Sequence, residues 1–163
     1  MDMTELMTIA GAGELEECSR CPRRQPAGGS IFASCCPEHW SLTACPAMFV
    51  FRDPSVSKKG CAGDGKVCCY CHEDGTARNH RNFMSRFGID STQIFTTNAV
   101  LHGMEGKNSD PPMGAIRCCA NTLRRQIDLI QPEVIVTFGK TAIQAIYLIF
   151  NQPPPHSMAE VAG

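Results

Sequence analysis

Residues 123–146 read LRRQIDLIQPEVIVTFGKTAIQAI, and the order of residue types in this stretch decides the fold class. Leu123, Ile127 and Ile130 recur at helical spacing and continue an apolar stripe that begins at Ile116 and Cys119. The spacing predicts an amphipathic helix over 110–130, opened by Pro111 and Pro112. Pro132 closes it, because proline cannot donate to the helical ladder. EVIVTF, residues 133–138, is fully apolar at its centre, the pattern of a strand buried on both faces. Gly139 then turns the chain into a second helix over 141–150.

Working outward, AMFVF (47–51) and QIFTTN (93–98) read as two further buried strands. Between them the spacing predicts a helix over 76–87. Thr76 can cap its start, Phe83 and Phe87 pair at i, i+4, and Gly88 occupies the position just past its end. A short helix is expected over 3–17. Residues 22–46, with Pro22, Pro26, Gly28, Gly29, Pro37 and Pro46, and the Ser/Lys/Gly/Cys-rich residues 55–75 read as loops. Strands alternating with helices predict an α/β fold: a three-layer αβα sandwich around a central parallel sheet. One domain is expected, with residues 1–46 as helix and Cys-rich loop and 47–150 as the α/β core. There is no internal repeat.

The 163 residues suffice for one sizeable core. Fifteen Lys and Arg against sixteen Asp and Glu leave a formal charge of −1, so any basic surface for nucleic acid has to be local. No apolar run is long enough to span a membrane. The first twenty residues lack the charge and apolar pattern of a signal peptide, which implies a cytoplasmic, reducing setting. Eleven cysteines there are expected as thiols and metal ligands rather than disulfides.

Sites in open parallel sheets form beyond the carboxyl ends of the strands. Three segments meet that condition: Arg52-Asp53-Pro54-Ser55, Asn98, and Gly139-Lys140-Thr141. Each also has a plain reading. Asp before Pro is ordinary turn chemistry, Asn98 can cap a loop, and Gly139 can be only a tight strand-to-helix turn, the preferred reading there. The spacing of a phosphate-binding Gly-x-x-x-x-Gly-Lys loop is absent.

FVFRDPS (49–55), IFTTNAVLHG (94–103) and the block 123–146 together resemble successive segments of the uracil-DNA glycosylase superfamily, over about residues 15 to 150. The Gln-Ile-x-x-Ile-x-Pro-x-Val-Ile-Val run is similar to the iron–sulfur branch of bacteria and archaea. Arg-Asp-Pro looks instead like the Gln-Asp-Pro motif of the dedicated uracil enzymes. The resemblance implies a DNA glycosylase that hydrolyses the N-glycosidic bond of uracil or another deaminated base, with DNA as partner and a monomer as its state. Asp53 would activate or position water and Asn98 would hydrogen-bond the base edge. Tyr70, preferred over the nearby His72, would stack on the base, and Arg52 and Ser55 would line its pocket. A carboxylate suits a reaction that develops positive charge on the sugar, and an amide offers both donor and acceptor to a pyrimidine. The base must first leave the stack, which is easier when it is mismatched or damaged.

Two departures qualify that expectation. The superfamily's final His-Pro-Ser motif, after a fourth strand, is missing, which suggests a truncated chain. Ser55 stands where the dedicated uracil enzymes carry a thymine-excluding tyrosine. The alternative is a catalytically inactive, metal-stabilised DNA-binding module.

Cys18 and Cys21 form a C-x-x-C resembling the start of the iron–sulfur branch's cluster site. The resemblance completes the set with His102 and Cys119. Three thiolates and one imidazole suit zinc better than a four-cysteine cluster, so either an iron–sulfur cluster or zinc is expected. Spacing alone offers a rival set: Cys18, Cys21, Cys68 and Cys71. Cys119 can also be a packed helix residue. Cys68-Cys69-Tyr70-Cys71-His72 matches a haem-attachment pattern, which normally requires export. Arg78, His80, Arg81 and Arg86, with Arg23, Arg24, Arg124 and Arg125, are candidate phosphate contacts or simply solvated faces.

Overall fold

The computed structural model describes residues 46–53, 75–90, 93–101, 110–153 and 155. These form β1 (Ala47–Phe51), α1 (Gly75–Phe87), β2 (Ile94–Asn98), α2 (Met113–Ile130), β3 (Val134–Thr137) and α3 (Lys140–Ile149). The order and types match the reading above to within a residue or three at each end. The helix expected over 3–17 lies outside the described residues, as do the loops expected over 22–46 and 55–75 apart from Pro46 and Gly75.

The three strands are parallel in the order β2-β1-β3. Ala47 lies opposite both Ile94 and Val134, and Phe51 lies opposite Asn98. Pro46 anchors the start of β3, its carbonyl accepting from the amides of Glu133 at 2.8 Å and Val134 at 3.0 Å. The chain therefore leaves β1 toward one neighbour and returns from β2 across it to the other. A crevice is expected where connections diverge in this way, at the carboxyl ends of β1 and β3.

Side chains alternate across a strand, so each strand serves two cores. Met48, Val50 and Phe95 join Ile116, Cys119, Leu123, Ile127, Ala142, Ala145 and Ile149 beneath α2 and α3. Phe49 and Ile94 join Met84 on the opposite face, with Phe51, Phe83, Val136 and Phe138 packed around them under α1. This is the expected three-layer arrangement.

Each helix end has a local cause. Gly88 has φ +61°, where a side chain would be strained. It lets the Ile89 amide reach the Met84 carbonyl at 2.9 Å and the Gly88 amide the Ser85 carbonyl at 3.3 Å. That pair of bonds is a Schellman motif, completed by Ile89 packing in the same cluster as Met84. At the end of α2, Gln131 takes the left-handed conformation and its amide bonds the Ile127 carbonyl before Pro132. Arg124 ties α2 to α3: its Nε bonds Asp128 at 2.9 Å and its Nη1 reaches the Ile149 carbonyl at 3.4 Å.

Candidate active site

The carboxyl ends of β1 and β2 are locked together. The Ala99 amide donates to the Phe51 carbonyl at 2.7 Å, and the Val100 amide donates to the Arg52 carbonyl at 3.0 Å. Two consecutive backbone bonds thus join the segments just past both strands. They fix the backbone of Arg52, next to Asp53, against the segment that begins with Asn98. Asn98, Ala99, Val100 and Leu101 are all buried. The backbone thus sets the segment that carries Asp53 beside the segment that carries Asn98.

Arg52 and Asp53 form an ion pair through the arginine Nε and one carboxylate oxygen. The Asp53 side chain is only 10% exposed, against 38% for Arg52. The acid is thus sheltered, while its arginine partner reaches solvent. Pro54, Ser55, Tyr70 and His72 lie outside the described residues.

Asn98 shares the α1 face of the sheet with Ile94 by alternation. On that face an aromatic row runs toward β3. The rings of Phe51 and Phe138 stack 4.4 Å apart with their planes 7° from parallel. His80, from α1, meets Phe51 edge-on at 5.2 Å and Phe49 at 5.5 Å. The Phe138 amide donates to the Val50 carbonyl at 2.8 Å, which holds Phe138 beside Phe51. His80 is 3% exposed, so it leaves the group of candidate phosphate contacts. The sequence put it on a basic helix surface, yet its position three residues before Phe83 and four before Met84 was the available sign that it faces the sheet.

Gly139 has φ +88° and leads directly into α3, so it is the tight strand-to-helix turn preferred above. Gln126 was not anticipated. Its side chain is fully buried and its Oε1 accepts from Thr97 Oγ1 at 2.8 Å. Its Nε2 has no hydrogen-bond partner among the described residues. Its place three residues after Leu123 and four before Ile130 was the sequence sign of burial.

Of the metal ligands implied above, Cys119 alone is among the described residues. It is buried on α2, and its Sγ accepts from the Leu101 amide at 3.4 Å. The sulfur therefore lies against the backbone of Leu101, and the residue also belongs to the apolar cluster under α2 and α3. Among the described residues no three His, Cys, Asp or Glu side chains gather as a metal group. Cys18, Cys21, Cys68, Cys71 and His102 lie outside them. No helix among the described residues is long and apolar enough to cross a membrane.

A three-layer α/β domain of this kind carries its ligand sites at the carboxyl edge of the sheet, where the segments bearing Asp53 and Asn98 adjoin. Residues 71–161 match the family model described as the uracil DNA glycosylase superfamily, and the chain belongs to that superfamily. The matched segment contains Asn98 and Cys119 and begins after Asp53. The chain is 38% identical over 60 residues to a type-4 uracil-DNA glycosylase of Sulfurisphaera tokodaii, covering 37% of this chain and 27% of that protein. It is 32% identical over 68 residues to a type-4 uracil-DNA glycosylase of Archaeoglobus fulgidus, covering 42% of this chain and 34% of that one. The matches thus span about a third or less of these relatives' own length.

Proposed function

We propose that this chain is a DNA glycosylase that hydrolyses the N-glycosidic bond of uracil or another deaminated base in DNA. The observation that carries the reading is the lock between strand ends. Two amide-to-carbonyl bonds hold the Asp53 segment against the Asn98 segment, in a chain belonging to the uracil DNA glycosylase superfamily.

In this reaction the bond from C1′ of the sugar to the base nitrogen breaks and the base leaves with the bonding electrons. The oxygen of water bonds C1′, and the water proton is lost to base or solvent. Asp53 is the sheltered carboxylate placed to stabilise the developing positive charge and orient that water. Asn98 is the amide placed to read the edge of the flipped base. Tyr70 and Ser55 are proposed for its stacking and pocket. Burial of Asn98 on a rigid segment favours selectivity, because a fixed amide is left unpaired by a base that lacks the matching groups.

Cys18, Cys21, His102 and Cys119 are proposed to hold one iron–sulfur cluster or zinc ion. The contact between Cys119 and the Leu101 amide supports His102 and Cys119 as partners in this set. Such a centre would bind the N-terminal segment to α2 and stabilise the fold. The comparisons lend no support to the inactive DNA-binding alternative.

The test is incubation of the purified chain with single- and double-stranded oligonucleotides containing one uracil, followed by alkali. Strand cleavage at the uracil is the expected result. Intact strands, from a protein shown to be folded, would count against the reading.

A further inference from the structure

Arg52 contacts Asp53 through one edge of its guanidinium. The bond uses Nε, and the two terminal amino groups take no partner among the described residues. The side chain is more than a third exposed while the acid paired with it is sheltered. A guanidinium carries five N–H groups in a rigid planar fork, so it can hold a carboxylate on one edge and a second oxyanion on another. The backbone of Arg52 is fixed as well, since its carbonyl accepts from Val100, two residues from Asn98. An anion bound to the outer edge of Arg52 would therefore stand at a set distance from both Asp53 and Asn98.

We propose that Arg52 bridges a phosphate of the DNA strand to the Asp53 carboxylate, setting the register of the backbone against the site. The inference rests on the glycosylase reading for its rate consequence but not for its binding consequence. Contacts to phosphate fix register and orientation without reading sequence, which is the task at this position. The bridge makes Arg52 a positioning residue. It holds the carboxylate on one side and the sugar-phosphate chain on the other, so neither moves independently of the other.

The test compares the wild-type chain with Arg52→Gln and Arg52→Lys, all shown to be folded, on a short single-stranded oligonucleotide with one uracil. Binding is followed by fluorescence anisotropy over a range of salt, and base release under single-turnover conditions. Losing one phosphate contact should reduce the slope of log Kobs against log salt by about 0.7 in Arg52→Gln, with a fall in the rate of base release. Arg52→Lys should restore the slope but not the rate, because an ammonium is a point charge and cannot hold two oxyanions in one plane. An unchanged slope in Arg52→Gln overturns the phosphate contact. Full recovery of the rate in Arg52→Lys overturns the bridge. If the wild-type chain releases no base, the glycosylase reading fails and binding alone decides. A double-mutant cycle between Arg52→Gln and Asp53→Asn should then show coupling above about twofold in Kd, and additive effects would overturn the bridge.

Discussion

The two faces of the sheet are built from different materials. Beneath α2 and α3 the strands contribute Met48, Val50 and Phe95 to an otherwise aliphatic layer, and the three are fully buried. Beneath α1 they contribute Phe49, Phe51 and, just past β3, Phe138, joined by Phe83 and His80. The aliphatic layer is closed over by two helices that are themselves tied by Arg124. The aromatic layer becomes less buried toward the carboxyl end, where Phe51, opposite Asn98, stacks on Phe138. One face supplies most of the burial that holds the fold, and the other leads into the candidate site. Aromatic rings suit the second role because they add directional contacts to burial while remaining partly open.

This contrast can be broken by substitution. Phe95→Ala on the aliphatic face should cost about 3–5 kcal/mol, the usual penalty for a large cavity under well-packed helices. Chemical denaturation measures it, and a loss below about 1 kcal/mol would mean that this face is not the main support. Thr97→Val on the same face should cost about 1–3 kcal/mol by stranding the buried Gln126 carbonyl. Adding Gln126→Met should recover most of that loss, since both polar partners are then gone; no recovery in the double variant would place the cost elsewhere. Phe138→Leu should cost less, about 1 kcal/mol or so, as the stacking with Phe51 is lost and the side chain is only half-buried. Its effect on base release should nevertheless exceed that of the other two, at about tenfold or more, by loosening the strand end beside Asn98. Equal fractional losses of activity and stability across all three variants would remove the distinction between the faces.

Much of this division could be read from the sequence, and the part that could not has a physical reason. Strands and helices followed from apolar spacing, and their ends from Pro132, Gly88 and Gly139. The strand-end positions of Asp53 and Asn98 followed from the order of elements alone. His80 and Gln126 were harder to place because polar residue types carry a surface expectation that a single helical turn of tertiary packing can override. Phe138 lies past the end of β3, and its stacking on Phe51 depends on the register between two strands separated by more than eighty residues. Local pattern carries no information about that register. The Arg52–Asp53 pair is adjacent in sequence, yet which edge of the guanidinium it occupies is a matter of side-chain geometry.

The central claim is that the locked strand ends form a hydrolytic site in which Asp53 acts. The most direct measurement is the single-turnover rate of base release from a uracil-containing strand by Asp53→Asn, compared with wild type at matched folding and DNA affinity. The account predicts a rate lower by about 10²–10⁴-fold with the circular dichroism spectrum unchanged. A wild-type rate in the folded Asp53→Asn protein would contradict it and move the chemistry away from the end of β1.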